Sequence, residues 1–481
     1  MTWFLWKPLR VSSGALISLS MTLSICSTVA AQSSSESAVA PGAVTTSHGA
    51  GGNDLPRSES APVPKVSSTT LARYFDPAQG TSSSDLVRRA LVSNGELAAV
   101  RLDIERARAR LRQAGLRPNP SLDFEQTTGR FTGAPGESEL SVGLAVPLEL
   151  GGKRRRRIEL AQAEFEAAEA EVADRERRLA NEVRILYVQA LASIRELGTL
   201  EELNNLDLQT TRFVQARVNE GDTAPIELNQ LRVEVDRLRS RRALVEGRLQ
   251  AALLRLKSLT GIPPTELLRL REDITTPSLP APPTSVEAAI DIALRTRPDL
   301  RLARLNEEVA QAGLRLARSQ GVPDVTPFTK YSYGREVFDD TPVGVLRDRD
   351  KLLTFGVSIG IPIFNRNQGG KAEAAAAITQ AERRRQFLEA VVRSEVESAL
   401  ARYEAARAAV STFEQGVIPR SSENIRTIRA AYQIGAFSIT DLLVEQRRLV
   451  DAQREFTEAL AERYQALADL QAALGIPINQ Q

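Results

Sequence analysis

Apolar residues recur along this chain with two different periods. Between Lys153 and Glu220 the step is three or four residues: Leu179, Val183, Leu186, Ala190, Ile194 and Leu197 form one seam. That spacing predicts a helix packed against partner helices. No proline interrupts the stretch, Gly198 is its one glycine, and Gly151-Gly152 and Gly221 bound it. A single helix of this length spans roughly 100 Å, far more than a globular helix, and needs partners along it. A returning seam follows in Leu228, Leu231, Val235, Leu238, Val245, Leu249, Ala252, Leu256 and Leu259. Its copy is Leu442, Leu449, Ala452, Phe456, Ala459, Ala466, Leu470 and Ala473. Another seam, Leu97, Val100, Ile104, Ala107, Leu111 and Ala114, predicts one helix ended by Pro118 and Pro120. A second long helix is predicted over 371–434, with a break at Gly416 and Pro419.

Elsewhere the period is two. Leu140, Val142, Leu144, Val146 and Leu148 alternate with Ser141, Gly143, Ala145 and Pro147. Leu353, Phe355, Val357, Ile359, Ile361 and Ile363 alternate with Thr354, Gly356, Ser358, Gly360 and Pro362. Large apolar against small or polar predicts strands with two unlike faces. Residues 121–129 and 325–334 alternate less regularly and are predicted as the preceding strands, with Tyr331 and Tyr333 suited to a membrane interface. No amphipathic layer is left over to cover such a sheet. Strands of about ten alternating residues suit an outer-membrane barrel. The lipid face is then expected to carry Leu140, Val142, Leu144, Val146, Phe355, Val357, Ile359 and Ile361.

The unit occurs twice. Ala90-Leu91 with Glu96-Leu97 matches Ala293-Leu294 with Asp299-Leu300, and Pro120 matches Pro323. One constant offset then aligns Gly221 with Gly435 and Gly261 with Gly475, without a gap. The expected organisation is a signal peptide over 1–31, a Ser/Ala/Gly/Pro-rich disordered linker over 32–80, a first repeat over 81–263, a Pro-rich connector over 264–284 and a second repeat over 285–477.

Composition narrows the classes. The 481 residues are 42% hydrophobic, ample for one or two domains, and only 5% aromatic. With 62 basic and 60 acidic residues, nothing suggests a nucleic-acid partner. Lys7 and Arg10 precede an apolar run, and Val29-Ala30-Ala31 fits a cleavage site before Gln32, as in a secretory leader. The one cysteine, Cys26, follows Ile25 rather than a small residue, which argues against lipid attachment. A mature chain from Gln32 has no cysteine and one histidine, His48, in the linker. No triad or soft-metal site can be built from that set, so no enzyme activity, metal site or cofactor is expected. The cations Lys153 to Arg157 oppose the helix dipole at a helix start. They read either as a solvated face or as a contact with anionic lipid headgroups.

Helix, two strands, long helix and return helix, twice over, resembles the TolC-like outer-membrane efflux proteins, the outer membrane factors. The resemblance covers about residues 85–477. Val146-Pro147-Leu148-Glu149-Leu150-Gly151-Gly152-Lys153-Arg154 and Ile361-Pro362-Ile363-Phe364-Asn365-Arg366-Asn367-Gln368-Gly369 are similar to the strand-to-helix signature of the cobalt–zinc–cadmium resistance branch. Glu220-Gly221-Asp222-Thr223-Ala224-Pro225 is similar to that branch's tip turn. The resemblance implies a mainly α fold with a β-barrel part: a homotrimer whose twelve strands close an outer-membrane barrel, continued by an α-helical barrel in the periplasm. Closure agrees with physics, since four strands alone would leave an open edge in lipid. It also implies an exit duct fed by an inner-membrane transporter of the RND type through a periplasmic adaptor, or membrane fusion protein. Heavy-metal cations are the expected cargo, with drugs or solvents as the alternative; metal selectivity would reside in the pump partners. The expected adaptor-docking turns are Gly221, Asp222 and Thr223 with Gly435, Ala436 and Phe437. Counted from the turn glycine, Asp441 matches an acid that rings the pore constriction. Glu227 is its equivalent in the first copy, and Glu445 stands beside Val444, where a second family acid would be. A periplasmic adaptor is the rival reading, but it would carry one helical hairpin between small β modules.

Overall fold

The computed structural model describes residues 69–131, 137–276, 279–283, 285–338 and 346–476. The leader, Cys26, His48, most of the linker and Pro477 lie outside the described residues. Helix α1 (Thr69–Tyr74) leads into α2 (Ser83–Ser93) and α3 (Gly95–Ala114), strands β1 (Ser121–Thr128) and β2 (Ser138–Ala145), and the long α4 (Lys153–Glu220). Helix α5 (Pro225–Thr260) returns. The second copy is α6 (Val286–Thr296), α7 (Pro298–Ser319), β3 (Val325–Phe338), β4 (Leu346–Ile359), α8 (Gln368–Thr412), α9 (Ile418–Gln433) and α10 (Ile439–Leu474).

The helix seams lie where the spacing puts them. All six residues of the α4 seam are buried, and α5 buries Leu228, Leu231, Val235, Leu238, Val245, Leu249 and Leu256. Each large aliphatic side chain so covered contributes about 1.5–3 kcal/mol. The expected break in the second long helix is a π turn at Phe413–Val417 that holds Gly416, with Pro419 in the first turn of α9. Proline can sit there because its missing N–H is not needed.

Three expectations need correction. The single helix at the start of each copy is two. Asn94 stops α2 and caps α3, its Oδ1 accepting from the Leu97 N–H at 2.9 Å; Arg297 stands at the same corner in the second copy, followed by Pro298. Both corners are stapled to the last turn of the returning helix. Asn94 Nδ2 donates to the Leu259 carbonyl at 3.0 Å, and Arg297 donates to the carbonyl of Ala473, its repeat equivalent, at 3.4 Å. Next, the expected linker over 32–80 ends too late. Residues from Thr69 are folded because the connector supplies backbone partners: the Asp76 N–H donates to the Leu270 carbonyl and the Leu270 N–H to the Tyr74 carbonyl, both at 2.9 Å. Tyr74 and Leu270 are buried there. Finally, the strands stop early. β2 ends at Ala145 and β4 at Ile359, so Val146 and Ile361 lie beyond them. Pro147 and Pro362 follow directly and have no N–H for a ladder. Val146 keeps one tie, its N–H donating to the Pro327 carbonyl at 3.1 Å.

The four strands form one antiparallel sheet in the order β1-β2-β3-β4, so the two copies join through β2 and β3. Among the described residues β1 and β4 are left as edges within the chain.

Candidate functional site

Two regions carry what this molecule can do: the two faces of the sheet and the far end of the long helices. Across the sheet the register aligns Phe124, Val142, Tyr331 and Leu353 in one row, and Leu122, Leu144, Thr329 and Phe355 in the next on the same side. The opposite side carries Asp123, Gly143, Lys330 and Thr354. Lys330 Nζ meets Glu125 Oε2 there at 3.0 Å. Leu140, Val142, Leu144, Phe355, Val357 and Ile359 are all exposed, whereas Ser141 and Ser332 are buried. One side is thus apolar and bare, and the other is mixed, with small and ion-paired groups beside a half-buried Phe328 and an exposed Leu352.

At the far end α4 and α9 stop in the same way. Gly221 and Gly435 take φ of +83° and +77°, a region where a side chain with Cβ is strained. The next N–H closes each helix from five residues on: Asp222 to the Arg217 carbonyl and Ala436 to the Ala431 carbonyl, both at 2.9 Å, the hydrogen bonds of a Schellman cap. Asp222, Ala436 and Phe437 are exposed and Thr223 half-buried. Behind the turns, Val214, Leu228, Leu231, Ile425, Tyr432, Ile439 and Leu442 share one apolar cluster, so the two hairpins form a single tip.

Tyr432 links them further. Its hydroxyl donates to Glu227 Oε2 at 3.1 Å. Burial first, then the nearby Glu227 carboxylate, push the phenol up to about 12, so it stays a donor. Asp441 lies exposed in the first turn of α10 and closes a capping box with Ser438: the Ser438 hydroxyl donates to Asp441 Oδ2 at 2.7 Å, and the Asp441 N–H donates to Ser438 Oγ at 3.2 Å. The Ser438 hydroxyl and N–H hold the carboxylate below its ordinary range, so it is charged at neutral pH. Glu445 corrects the expectation. It is only 5% exposed and turned inward against α9. It accepts from Asn424 Nδ2 at 3.1 Å and pairs with Arg448 at 3.1 Å. It therefore ties helices together rather than lining a passage.

Sequence reasoning missed two features of this end. Tyr432 was legible only as an aromatic hydroxyl three residues before a tip glycine. The other is Asp207, buried on α4 and accepting from Gln446 Nε2 of α10. Burial pushes Asp207 up to about 6, against the pull of Gln446. Among the described residues no group of three or more His, Cys, Asp or Glu is placed to hold a metal ion, and no helix is long and apolar enough to cross a membrane.

A sheet with one bare apolar side and two open edges, set on a helical rod, points to a protein that enters the bilayer through strands. The outer membrane efflux protein family matches residues 86–262 and 289–476. The chain belongs to that family. This efflux protein is 24% identical over 387 residues to the cobalt-zinc-cadmium resistance protein CzcC of Cupriavidus metallidurans, covering 80% of this chain and 87% of that protein. It is 25% identical over 374 residues to the outer membrane protein TolC of Vibrio cholerae, covering 76% and 83%. A solved structure of CusC shares the fold with a TM-score of 0.68 at 23% identity, covering 88% of this chain and 99% of that one. Family members form homotrimeric channels that work with adaptor proteins and inner-membrane pumps. This efflux protein is an outer-membrane exit duct that extends into the periplasm. The rival reading as an adaptor is thereby set aside.

Proposed function

We propose that this efflux protein conducts heavy-metal cations passively to the exterior. It receives them from an RND-type inner-membrane transporter through a membrane fusion protein that grips the two tip turns. The likeness to CzcC, whose name records cobalt, zinc and cadmium resistance, carries the choice of cargo. The repeated Schellman caps at Gly221 and Gly435, packed side by side, support the docking role. Valine at Gly221 or Gly435 should strain its turn by about 1–3 kcal/mol while leaving the apolar cluster behind it in place. Cells carrying either variant are expected to lose tolerance to cobalt, zinc and cadmium, with trimers still present in the outer membrane. Undiminished cross-linking of the adaptor to both variants would refute the docking assignment. A null strain that stays tolerant to all three metals but becomes sensitive to drugs or solvents would replace the cargo.

In this reading the exposed Asp441 carboxylates of three chains surround the passage, with Glu227 near them. Like charges held close repel one another and attract cations from the periplasm. Asp441→Asn should weaken the cation preference of single channels and reduce block by trivalent cations. Unchanged selectivity and block would leave Asp441 with the capping role alone.

A further inference from the structure

The four strand-to-helix junctions of the chain meet in one collar below the sheet. Arg154 Nε donates to the Gly115 carbonyl at 2.6 Å, and Arg157 donates to the Leu116 carbonyl at 3.3 Å, which ties the α4 start to the end of α3. The Leu150 N–H donates to Asp324 Oδ1 at 3.1 Å, and Lys153 meets Asp324 at 2.8 Å, which ties the same segment to the start of β3. Asn367 Nδ2 donates to the Ala317 carbonyl at 2.9 Å, which brings in the segment after β4.

Two properties of this collar occur together. It is apolar where it adjoins the sheet: Leu150, Ile361, Ile363 and Phe364 are exposed, Phe364 by 90%. Leu150, Ile361 and Ile363 keep the alternation of the bare side in sequence past the strand ends, and Phe364 follows them. It is also unbalanced in charge. Lys153, Arg156 and Arg157 are neutralised by Asp324, Glu159 and Glu149. Arg117, Arg154 and Arg366 are exposed and pair with no carboxylate among the described residues. On the helices some exposed arginines, such as Arg106, Arg239 and Arg295, take a carboxylate one turn away, and others, such as Arg384 and Arg393, take none among the described residues; the collar differs in setting three such groups beside exposed apolar side chains. Apolar groups beside unpaired guanidinium groups are complementary to a lipid headgroup region. The apolar side chains enter the acyl boundary, and the long cationic ones reach the phosphates.

We propose that this collar binds anionic glycerophospholipid of the periplasmic leaflet. Arg117, Arg154 and Arg366 hold headgroup phosphates, for which a planar guanidinium suits two-oxygen recognition. The proposal rests on the reading that the apolar strand side meets lipid, and its test separates the two. The chain's two tryptophans, Trp3 and Trp6, lie in the expected leader, so a mature chain from Gln32 has none. Trimers carrying Phe364→Trp or, separately, Val357→Trp are reconstituted in vesicles of four parts phosphatidylcholine to one part phosphatidylglycerol. The acyl chains of one lipid or the other carry bromine as quencher, at equal mole fraction.

At position 364, brominated phosphatidylglycerol should quench roughly two- to fivefold more than brominated phosphatidylcholine. The preference should vanish in Arg117→Gln/Arg154→Gln/Arg366→Gln trimers, and shrink in 1 M salt, where the Debye length is about 3 Å. Equal quenching by both lipids at 364, with position 357 quenched, overturns the collar and leaves the strand reading standing. Absence of quenching at 357 overturns both. A preference that survives the triple substitution removes the arginines from the assignment and overturns it as stated.

Discussion

Alanine in place of Arg297 is expected to lower the stability of the folded chain by about 3–5 kcal/mol, the cost of leaving a buried charge without its partner. Arg297 is 3% exposed at the corner between α6 and α7. Its guanidinium meets Asp299 with two nitrogens, at 3.0 and 2.6 Å, and Glu395 of α8 at 2.6 Å. It also reaches the end of α10 through the Ala473 carbonyl. Its loss would strand Asp299, whose next cation, Arg177, stands 3.7 Å away. The equivalent corner of the first copy makes a smaller demand. Asn94 is neutral there, and Asn94→Ala should cost about 1 kcal/mol, as for other helix caps. Melting of detergent-solubilised trimers reads the difference, and equal melting of the two variants would exclude the buried-charge account. Replacing both partners, as Arg297→Met with Asp299→Leu, should recover most of the loss, because an apolar pair leaves no charge behind.

The same pair sets an acid limit. Burial works to raise the Asp299 carboxyl, but its bonds to Arg297 and the charge of Arg177 outweigh burial and hold it below the usual range. A depressed carboxylate stabilises the fold at every pH above its unfolded value, about 3.9. That contribution is lost as pH falls from there through the lower folded value. Trimers should therefore lose stability below about pH 4 through this group, and Asp299→Asn should melt with a shallower dependence on pH in that window.

Arginine at Val357 is expected to stop assembly in the outer membrane. Val357 lies on the bare side of β4, 59% exposed, next to Phe355 and Ile359 on the same side. In the reading that this side meets lipid, mid-bilayer arginine costs about 2–4 kcal/mol per chain, felt three times in a trimer. Ser358 points to the other side, that of Thr354 and Lys330, and in the same reading arginine there faces the water-filled lumen rather than lipid. Ser358→Arg should assemble and conduct less. Counting heat-stable trimers in outer-membrane extracts compares the two, and a larger assembly defect for Ser358→Arg would mean that the sides are reversed.

Much of this molecule follows from patterns local to the chain. A step of three or four residues put Leu179 to Leu197 on one buried stripe of α4, and alternation split Leu140 to Leu144 from Ser141 and Gly143, because helix and strand each repeat over a few residues. Gly221 and Gly435 ended their helices because the turn needs positive φ, which is also a local requirement. The partners of charged groups are not local. Asp441 and Glu445 lie one turn apart on α10 and read alike in the sequence. Yet one caps its own helix in the open, and the other is sealed against Asn424 of α9. The burial of Tyr74 depends on Leu270, and the position of Arg154 on a carbonyl at Gly115, each brought near only when distant segments pack. Spacing along the chain determined which elements form and which of their sides are apolar. Only tertiary packing decided which acids stay exposed, where the expected linker gives way to fold, and that four junctions share one basic, apolar collar, because those outcomes depend on groups far apart in sequence.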